Sequence, residues 1–271
     1  MSSSLCVVIP TYQAGCLIGR CLDSVERHLP DVEIIVVDNA STDDTVPRVE
    51  QHGVRLIRNG SNLGFGTACN RGVDAATAEH IVLLNQDVVL ESSLADAQRI
   101  LDSVTWVGAV GGTMTDSAGQ TRPNAYRYPR LDNVVWRRRS HDRRAMHALT
   151  NGEPLISVDY FEFSLAVLRR ADYLRMGGFD ERYFMYGEER DLMYRLARAG
   201  LRAVLSPLVR YVHDGGYSDA RRQLVIDGQL RFVADHGNRR QRIVYPRLLA
   251  LKSAVRTRQV HRTVSADRSV S

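Results

Sequence analysis

The first third of the chain alternates short apolar runs with helix-like segments, and this alternation restricts the fold more than any other feature of the sequence. Strands rich in Val, Ile and Leu that alternate with helices build parallel sheets covered on both faces. We therefore expect an α/β fold with a Rossmann-like, mostly parallel central sheet flanked by helices. The predicted strands cover residues 5–9, 34–37, 54–57 and 81–84, and the predicted helices cover 17–28, 45–51 and 65–76.

The second half of the chain follows this pattern less regularly. A segment that begins at Glu188 has apolar residues at helical spacing and should end near Gly200, because glycine is favoured just past a helix. Residues 115–153 are polar and contain the basic run 136–139, so we expect a loop or an exposed helix that is either solvated or in contact with phosphate or acceptor. Further elements are predicted as a helix at 92–103 and strands at 106–114 and 157–168.

Polar side chains follow each of the four predicted strands directly. Residues 11–13 follow the first strand, Asp38 and Asn39 the second, Asn59 the third, and residues 85–87 the fourth. Ligands of open α/β sheets bind at the carboxyl ends of the strands, so four successive polar ends favour a binding site at this edge. Polar residues also end strands for purely local reasons, and for any single position that explanation stays open.

Several nucleotide-binding and catalytic signatures are absent from the sequence. The chain has no GxxxxGKS or GxxxxGKT loop, and Gly64-Phe65-Gly66 does not continue into GxGxxG, so a P-loop ATPase and a dinucleotide dehydrogenase are disfavoured. No GxSxG elbow and no HExxH pair occurs. The four cysteines lack CxxC spacing, which favours reduced thiols over a disulfide framework or a zinc site.

The net charge of +5 comes from one end of the chain. Residues 239–271 hold nine basic residues against a single acid, Asp267, so the rest of the chain carries a net charge of −3. The folded body therefore lacks the basic surface expected for nucleic-acid binding. No run reaches the ~20 apolar residues of a membrane span, and the first residues lack the features of a secretory signal, so we expect a cytoplasmic protein.

Several motifs together resemble the family-2 glycosyltransferases of GT-A fold, and especially their bacterial rhamnosyltransferase-like members. The resemblance runs from about residue 5 to residue 217, with the motifs in the order and spacing of the family. The motifs are VVIPTY at 7–12, VVDNASTD at 36–43, NLGFG at 62–66, NRG at 70–72, LLNQD at 83–87, GGFDE at 177–181, YGEERDL at 186–192, and His213. The resemblance implies an inverting enzyme that uses a UDP- or dTDP-sugar and Mg²⁺ or Mn²⁺.

The resemblance also assigns roles to individual residues. Asp38 would hydrogen-bond the nucleobase, and it could cap the following turn at the same time. Asp87 and His213 would bind the metal ion, while packing of His213 against Tyr211 or Tyr217 is the alternative. The nucleotide site would be formed by Pro10, Thr11, Tyr12, Asp38, Asn39, Asn62, Gly64, Asn70, Arg71 and Asn85.

The chemistry of sugar transfer explains why these residue types are needed. A divalent ion, held by carboxylate and imidazole ligands, would neutralise the charge that grows on the leaving diphosphate. A general base must deprotonate the acceptor hydroxyl, and Glu189 occupies the position that the resemblance gives to it. Glu188 and Asp191 would orient this base or bind acceptor hydroxyls, although acids at a helix N-terminus also complement the helix dipole without any catalytic role. Glu162 and Tyr186 are the predicted acceptor-binding residues.

Four departures from the family pattern affect specificity more than reaction class. Gln13 replaces a commoner Asn or Asp, and Asn85 replaces the first Asp of the metal motif. Glu162 and Phe163 lie where the family often has a glycine that leaves room for the sugar. Glu189 stands where Asp is usual, so its carboxylate reaches about one methylene further. The donor sugar, the fit of the acceptor and the identity of the base are therefore left open.

We expect one GT-A domain with two abutting halves and a tail. Residues 1–114 would bind the nucleotide sugar, residues 115–217 would shape the acceptor side, and residues 218–271 would form a helical, basic tail. Pro246 would open a helix in this tail. Its apolar side would comprise Leu248, Leu249, Leu251 and Val255. Such a helix suits peripheral contact with an anionic membrane, but it could also pack on the catalytic domain, form a homodimer contact or be disordered.

The expected reaction is transfer of a sugar, with rhamnose as the specific hypothesis, to a polyprenyl-linked glycan or a small-molecule glycoside. A sugar nucleotidyltransferase is the rival enzyme, but it needs a basic loop after the first strand, where the first basic residue is Arg20. A catalytically inactive module that binds a sugar nucleotide is the alternative function that is not enzymatic. The intact Asp87, Glu189, Asp191 and His213 argue against it.

Overall fold

The computed structural model describes residues 4–129, 142–214 and 219–251 of the chain. The strands are β1 Leu5–Thr11, β2 Glu33–Asp38, β3 Arg55–Arg58, β4 His80–Leu84, β5 Val89–Leu90, β6 Val107–Thr115, β7 Ala125–Tyr126, β8 Ile156–Val158, β9 Tyr160–Phe161, β10 Leu165–Arg169 and β11 Arg202–Val212. The helices are α1 Cys16–His28, α2 Thr45–Gln51, α3 Phe65–Ala75, α4 Ala95–Ser103, α5 Arg143–Thr150, α6 Arg170–Arg175, α7 Glu188–Arg198, α8 Asp219–His236 and α9 at residues 239–251.

A nine-stranded sheet forms the centre of the described chain, in the order β3-β2-β1-β4-β10-β6-β11-β5, with β8 beside β11. β1 pairs in parallel with β2 and β4, β2 with β3, and β6 with β11. β10 lies antiparallel between β4 and β6, so β6 and β11 run in the same direction as β1 to β4. β5 and β8 run antiparallel to β11, and β7 pairs with β9 in a separate ribbon. The predicted α/β fold with a mostly parallel sheet is confirmed.

Two apolar layers cover the two faces of the sheet. Along β1, Cys6 and Val8 belong to one layer, and Val7 and Ile9 belong to the other, because successive side chains of a strand point to opposite faces. α3 packs in the first layer and α1 in the second. Gly72 of α3 lies so close to β1 that a Cβ there would be 2.3 Å from Cγ1 of Val8. The absence of a side chain at this position lets the helix approach the sheet.

The expectation of a single strand at 157–168 was wrong. β8, β9 and β10 share this run, and they pair with β11, β7 and β4 respectively. The chain changes partner at Asp159, whose carboxylate accepts a hydrogen bond from the Tyr128 amide at 2.9 Å. The apolar character of the run reflects burial in three different places, which a sequence pattern does not distinguish from one long strand.

β11 is the longest strand described, and the sequence pattern did not predict it. Pro207 lies within it, and a proline normally argues against an interior strand because it has no N–H to donate. The register of β11 against β6 shifts between Ser206 and Arg210, so a bulge accommodates the proline and the strand continues on either side. This strand carries the chain back across the sheet to the edge where His213 lies.

The helices near the C-terminal end differ from the prediction. α9 begins at residue 239, and Pro246 lies inside it rather than at its first turn. Leu248 and Leu249 pack inward, against a cluster that includes Phe232 of α8, instead of lining an outer face. Val255 and the basic run 136–139 lie outside the described residues. α4 begins at Ala95, three residues later than expected.

The described residues contain no helix that is both long enough and apolar enough to cross a membrane.

Candidate active site

The sheet topology brings many of the predicted site residues to one edge. Thr11 ends β1 and Asp38 ends β2, and the two residues pair in register. Asp87 follows β4, and His213 follows β11, which runs in the same direction. Glu162 precedes β10, which runs the opposite way, so it reaches this edge from the other end of its strand. Residues distant in sequence therefore meet where parallel strands end.

Asp87, His213 and Glu162 form a cluster at this edge. Nε2 of His213 lies 3.3 Å from Oδ1 of Asp87, and Nδ1 lies 3.8 Å from Oε1 of Glu162. The Tyr126 hydroxyl donates a hydrogen bond to Oε2 of Glu162 at 3.4 Å. The side chain of His213 is only 7% exposed, whereas those of Asp87 and Glu162 are 28% and 34% exposed. The imidazole thus forms the floor of the cluster, and the carboxylates form its open side.

The charges within this cluster shift the pKa of each member. Burial lowers the pKa of His213, but the hydrogen bond and charge of Asp87 outweigh it, so the pKa is raised overall. Burial raises the pKa of Asp87, and the hydrogen bond and charge of His213 more than offset it, so this pKa is lowered. For Glu162, burial raises the pKa, the His213 charge lowers it, and the Glu189 charge raises it again. Glu162 is therefore influenced both by the charge of His213 and by that of the predicted base, Glu189.

The donor set of this cluster fits a divalent cation. A carboxylate and an imidazole face each other across one short contact, and a second carboxylate lies beside them, which are ligand types that Mn²⁺ and Mg²⁺ accept. Arg221 of α8 is near enough to lower the pKa of both Asp87 and His213, and it adds positive charge beside the cluster. Arg221 was not predicted, because nothing in its local sequence distinguishes it from other arginines. Packing of His213 against Tyr211 or Tyr217 was the alternative to metal binding. The hydroxyl of Tyr211 contacts Oγ of Ser164 at 2.9 Å, and Tyr217 lies outside the described residues.

Gln86 joins the ends of β1 and β4. Its Oε1 accepts hydrogen bonds from the Thr11 hydroxyl at 2.8 Å and from the Tyr12 amide at 2.7 Å. Its Nε2 donates to the Tyr12 carbonyl at 3.3 Å. Thr11 and Pro10 are buried, while Tyr12 is exposed at the mouth of the site. Asn85 and Asp87 were given predicted roles, but Gln86 was given none, because its partners lie more than seventy residues away.

Asp38 and Asn39 are both buried at the end of β2. The Ser41 amide donates to both carboxylate oxygens of Asp38, at 3.3 and 3.1 Å, so this residue caps the turn that follows its strand. Oδ1 of Asn39 accepts from Nδ2 of Asn59 at 2.8 Å, and its own Nδ2 donates to the Gly64 carbonyl at 3.2 Å. Asn39 therefore joins the end of β2 to the loop between β3 and α3.

The loop before α3 is held from both sides. Oδ1 of Asn62 accepts a hydrogen bond from the Gly64 amide at 3.0 Å. Gly64 has a φ of 86°, and a Cβ there would lie 2.1 Å from the Phe184 carbonyl oxygen. Arg71 is exposed, and its Nη1 donates to Oδ1 of Asn59 at 2.5 Å. Glycine is required at position 64 because the backbone conformation and the space both exclude a side chain.

Asn70 connects α3 to the segment before α7. Its Oδ1 accepts from the Tyr173 hydroxyl at 2.6 Å and from the Phe179 amide at 2.9 Å. Its Nδ2 donates to the Phe179 carbonyl at 3.0 Å and to Oε1 of Glu181 at 3.1 Å. All of the usual hydrogen-bonding capacity of this amide is therefore used within the protein. In the structure Asn70 connects two segments, and its role in nucleotide binding stays a prediction.

The turn that begins α7 presents Glu189. Tyr186 and Gly187 both have positive φ angles, 68° and 107°, and a non-glycine residue in this region marks local strain. Oε2 of Glu189 accepts a hydrogen bond from the Gly187 amide at 2.8 Å, so the half-buried carboxylate caps its own helix. Gly228 of α8 packs directly on this turn, since a Cβ there would lie 2.0 Å from the Tyr186 carbonyl oxygen. α8 thus supports the turn from behind.

Glu188 points the opposite way, into the protein. It is buried, and its Oε2 has no hydrogen-bond partner among the described residues. Burial raises its pKa to about 8, and the neighbouring charge of Glu189 contributes to the rise. Its charge in turn raises the pKa of the buried Cys69 thiol of α3, after the larger effect of burial. Glu188 therefore carries its proton at neutral pH and does not face the open side of the site.

Asp191 is engaged on both of its carboxylate oxygens. Oδ2 lies 2.6 Å from Nη2 of Arg195, and Oδ1 lies 2.6 Å from Nε2 of His236. Arg195 also donates to the carbonyls of Met176 and Gly178, at 2.6 and 2.8 Å. The structure does not bring Asp191 together with the open cluster. It makes Asp191 the centre of a network between α7, α8 and the segment before α7.

Residues 6–171 match the family described as Glycosyl transferase family 2, and this match covers more than half of the chain. The chain belongs to glycosyl transferase family 2. One relative of this glycosyltransferase is the N-acetylglucosaminyl-diphospho-decaprenol L-rhamnosyltransferase of Mycobacterium tuberculosis. The two are 32% identical over 255 residues, which covers 82% of this chain and 79% of the relative. A PGL/p-HBAD biosynthesis glycosyltransferase of Mycobacterium bovis is 32% identical over 108 residues, and the match spans only 41% of that relative.

Solved structures share the GT-A fold with this family-2 glycosyltransferase. The mannosyltransferase PcManGT from Pyrobaculum calidifontis, in complex with GDP-Man and Mn²⁺, has a TM-score of 0.58 at 19% identity, with coverage of 97% of this chain and 83% of that one. TarS of S. aureus has a TM-score of 0.58 at 17% identity, covering 86% of this chain and 44% of TarS. GalNAc-T7 with UDP, GalNAc and Mn²⁺ has a TM-score of 0.62 at 15% identity, and the coverage is 85% and 47%.

Family membership and fold together define the general activity. The enzyme is a glycosyltransferase that takes its sugar from a sugar nucleotide. The predicted family resemblance is confirmed over most of its length, and it rests on motifs that the fold gathers at one edge of the sheet.

Proposed function

We propose that this glycosyltransferase transfers a sugar, with inversion, from a UDP- or dTDP-activated donor to an acceptor hydroxyl with the help of Mg²⁺ or Mn²⁺. The contact between Asp87 and His213 carries this proposal, because it forms a ligand pair at the edge where nucleotides bind in such sheets. The name of the Mycobacterium tuberculosis relative supports rhamnose as the sugar and a polyprenyl diphosphate-linked glycan as the acceptor.

The donor would lie over the ends of β1, β2 and β4, within residues 1–114. Asp38 would accept a hydrogen bond from the imide of uracil or thymine while it continues to cap its turn. Thr11 and Tyr12, fixed by Gln86, would form the adjoining wall. Asn39 and Asn70 would act on the nucleotide indirectly, because their amides already hold the surrounding loops in place.

Asp87 and Nε2 of His213 would hold the divalent ion, and Glu162, which lies beside the other ring nitrogen of His213, would add negative charge next to them. When bound, the ion supplies a Lewis acid that neutralises charge on the leaving diphosphate. Arg221 would add to this neutralisation, since its charge already reaches both Asp87 and His213. These residues would thus stabilise the leaving group rather than the attacking one.

Glu189 would accept the proton from the acceptor hydroxyl as that oxygen attacks the anomeric carbon from the face opposite the diphosphate. The acceptor would lie within residues 115–217, against Glu162 and Tyr186. Release of the Gly187 amide would free the Glu189 carboxylate for this task, because one of its oxygens is bound there. Glu188, buried and protonated, and Asp191, paired on both oxygens, would support the turn rather than contact the acceptor.

A panel of UDP-, dTDP- and GDP-sugars, incubated with the enzyme and Mn²⁺, tests the proposal through release of nucleoside diphosphate. The anomeric configuration of the transferred sugar, measured by NMR, should be opposite to that of the donor. Retained configuration would contradict the single displacement. Release of pyrophosphate from a nucleoside triphosphate and a sugar 1-phosphate would instead identify a nucleotidyltransferase.

A further inference from the structure

The outer side of α9 differs in character from its inner side. Tyr245 is buried against Phe232 and Val233 of α8, and Leu248 and Leu249 pack on the same cluster. These contacts fix which way the helix faces. Gln241 donates a hydrogen bond to the Pro129 carbonyl, and Arg242 donates to the carbonyls of Gly237 and Asp235. Most of the other side chains of α9 are exposed.

Three arginines and three aliphatic residues share that outer side. At about 100° per residue, the exposed positions of the helix fall within one broad face. Ile243, Val244 and Leu251 are 46%, 36% and 67% exposed, although each is apolar. We call this surface the outer face of α9, and it consists of Arg239, Arg240, Ile243, Val244, Arg247 and Leu251.

The charge of this helix has a single sign. Residues 239–251 contain four arginines and no acid, and residues 252–271 contain five basic residues and one acid. Exposed aliphatic side chains interleaved with unopposed arginines match an interface that is apolar inside and anionic outside. A bilayer that contains anionic lipids has this combination, because acyl chains lie directly beneath the charged headgroups.

The outer face also has a fixed relation to the candidate active site. Tyr245, on the inner side of α9, is near enough to Arg190 for their charges to interact, and Arg190 directly follows the predicted base. α8 lies between α9 and the turn of the base, and it touches that turn through Gly228. A surface bound by the outer face would therefore be held at a constant distance from Glu189.

We propose that the outer face of α9 docks the enzyme on an anionic membrane surface. The inference rests on the proposed function for its purpose, since a polyprenyl-linked acceptor is presented at such a surface. The membrane contact itself is inferred from the side chains of α9 and does not depend on the proposed reaction. The aliphatic residues would enter the headgroup region while the arginines remain at the level of the phosphates.

Flotation of the full-length protein with two kinds of vesicle tests the contact. One vesicle is phosphatidylcholine alone, and the other contains about one-third phosphatidylglycerol, in the range of anionic leaflets. The protein should float with the anionic vesicles at low salt, should be released from them by high salt, and should not float with the neutral vesicles. Absence of flotation at low salt would overturn the proposal.

Two variants and a matched control locate the contact. Arg239→Gln, Arg240→Gln and Arg247→Gln together should weaken partition on the order of 100-fold, because each basic residue near an anionic surface contributes roughly a fivefold factor. The second variant combines Ile243→Ser, Val244→Ser and Leu251→Ser, and it should lose flotation. The control carries Arg27→Gln, Arg143→Gln and Arg198→Gln, three exposed arginines on other helices, and it should float as the wild type does.

Transfer to a water-soluble acceptor separates this proposal from the proposed function. All three variants should keep wild-type activity there, because α9 contributes no residue to the site. Flotation without transferase activity would leave the docking intact and overturn the proposed reaction. Equal flotation of all variants, or loss in the control as well, would overturn the docking. Concentration-dependent dimerisation through the same residues in sedimentation experiments would assign the outer face to a second copy and overturn it too.

Discussion

His236 and Asp191 join α8 to α7 through a contact of 2.6 Å between the imidazole Nε2 and the carboxylate Oδ1. The other oxygen of Asp191 is bound by Arg195, which also holds the carbonyls of Met176 and Gly178. Asp191, which was predicted to orient the base or to bind acceptor hydroxyls, therefore ties together α7, α8 and the segment before α7. α8 belongs to this arrangement as much as α7 does, although it lies within residues 218–271, which were expected to form a tail.

Replacement of this carboxylate should affect stability first. Asp191→Ala would leave a largely buried guanidinium and imidazole without their shared partner, so the free energy of unfolding should fall by about 3 kcal/mol. Urea denaturation measures the change. Glu50→Ala, at an exposed position of α2, is the control and should shift stability by no more than about 0.5 kcal/mol. Unchanged stability with a large loss of kcat would instead give Asp191 a direct part in the chemistry.

Glu189→Gln should reduce kcat by roughly 10²–10⁴-fold, the usual effect of losing a general base. The glutamine can still accept the hydrogen bond from the Gly187 amide, so the start of α7 should persist and donor affinity should change little. Steady-state kinetics and nucleotide titration measure the two quantities. Glu153→Gln, on an exposed loop, provides the control. If Asp191→Asn is crippling and Glu189→Gln mild, the base has been assigned to the wrong carboxylate.

Asp87→Asn and His213→Gln should each abolish most turnover and weaken the metal-dependent part of nucleoside diphosphate binding. The physical reason is that each change removes one of two facing ligands at a short contact. Calorimetric titration of nucleoside diphosphate with and without Mn²⁺ measures the binding directly. Circular dichroism checks that the fold is retained. Full activity of the wild type in excess chelator would contradict the metal assignment.

The buried Glu188 predicts a pH dependence of stability. Its pKa is about 8 in the folded protein against 4.5 in the unfolded chain, so the folded state binds the proton more tightly between these values. Stability from this group is therefore complete below about pH 4.5 and is lost as the pH rises towards 8, by up to about 1.4 kcal/mol per unit. Glu188→Gln should remove this decline. Denaturation of the wild type and of Glu188→Gln at pH 5 and pH 8 measures this difference. An equal change in the free energy of unfolding of the two proteins between these pH values would contradict the prediction.

Gly64→Ala should separate the loop before α3 from the Phe184 segment. The alanine Cβ would collide with the Phe184 carbonyl, and the positive φ alone costs about 1–2 kcal/mol. We expect lower thermal stability and weaker donor binding. Gly60→Ala is the matched control, because its φ is not positive and no atom lies within 4 Å of the added Cβ. Similar effects of both substitutions would mean that the close approach is not required.

The parts of the fold that the sequence predicted are those with a local signal. β1, β2 and β4 are continuous apolar runs, and each was placed to within about two residues, because burial on both faces leaves a simple pattern. β11 was missed because Pro207 interrupts its pattern and the compensating register shift depends on β6. The split of the run at 157–168 depends on which strand each piece meets, and that information is not local.

The candidate site divides along the same line. Asp87 and His213 could be named because the family resemblance carries them, and the topology then brings them together. The environment of Asp191 could not be foreseen, because its partner His236 lies 45 residues further along the chain. The role of Gln86 was not predicted for the same reason. The outward direction of Ile243 and Val244 was likewise not foreseen, since only the packing of Tyr245 determines which side of α9 is covered.

The four hydrogen bonds of Asn70 have a consequence for how the two substrates influence each other. One side of α3 borders the proposed donor site, and Asn70 ties that helix to Phe179 and Glu181, in the segment that leads to the base. Movement of residues 179–181 would therefore strain their hydrogen bonds to α3. A donor that orders α3 should lower the free energy needed to order the segment before α7, and so should raise the affinity for the acceptor. By thermodynamic reciprocity, the acceptor should raise the affinity for the donor by the same factor. Such coupling would make the binding of donor and acceptor positively cooperative, whichever of the two binds first.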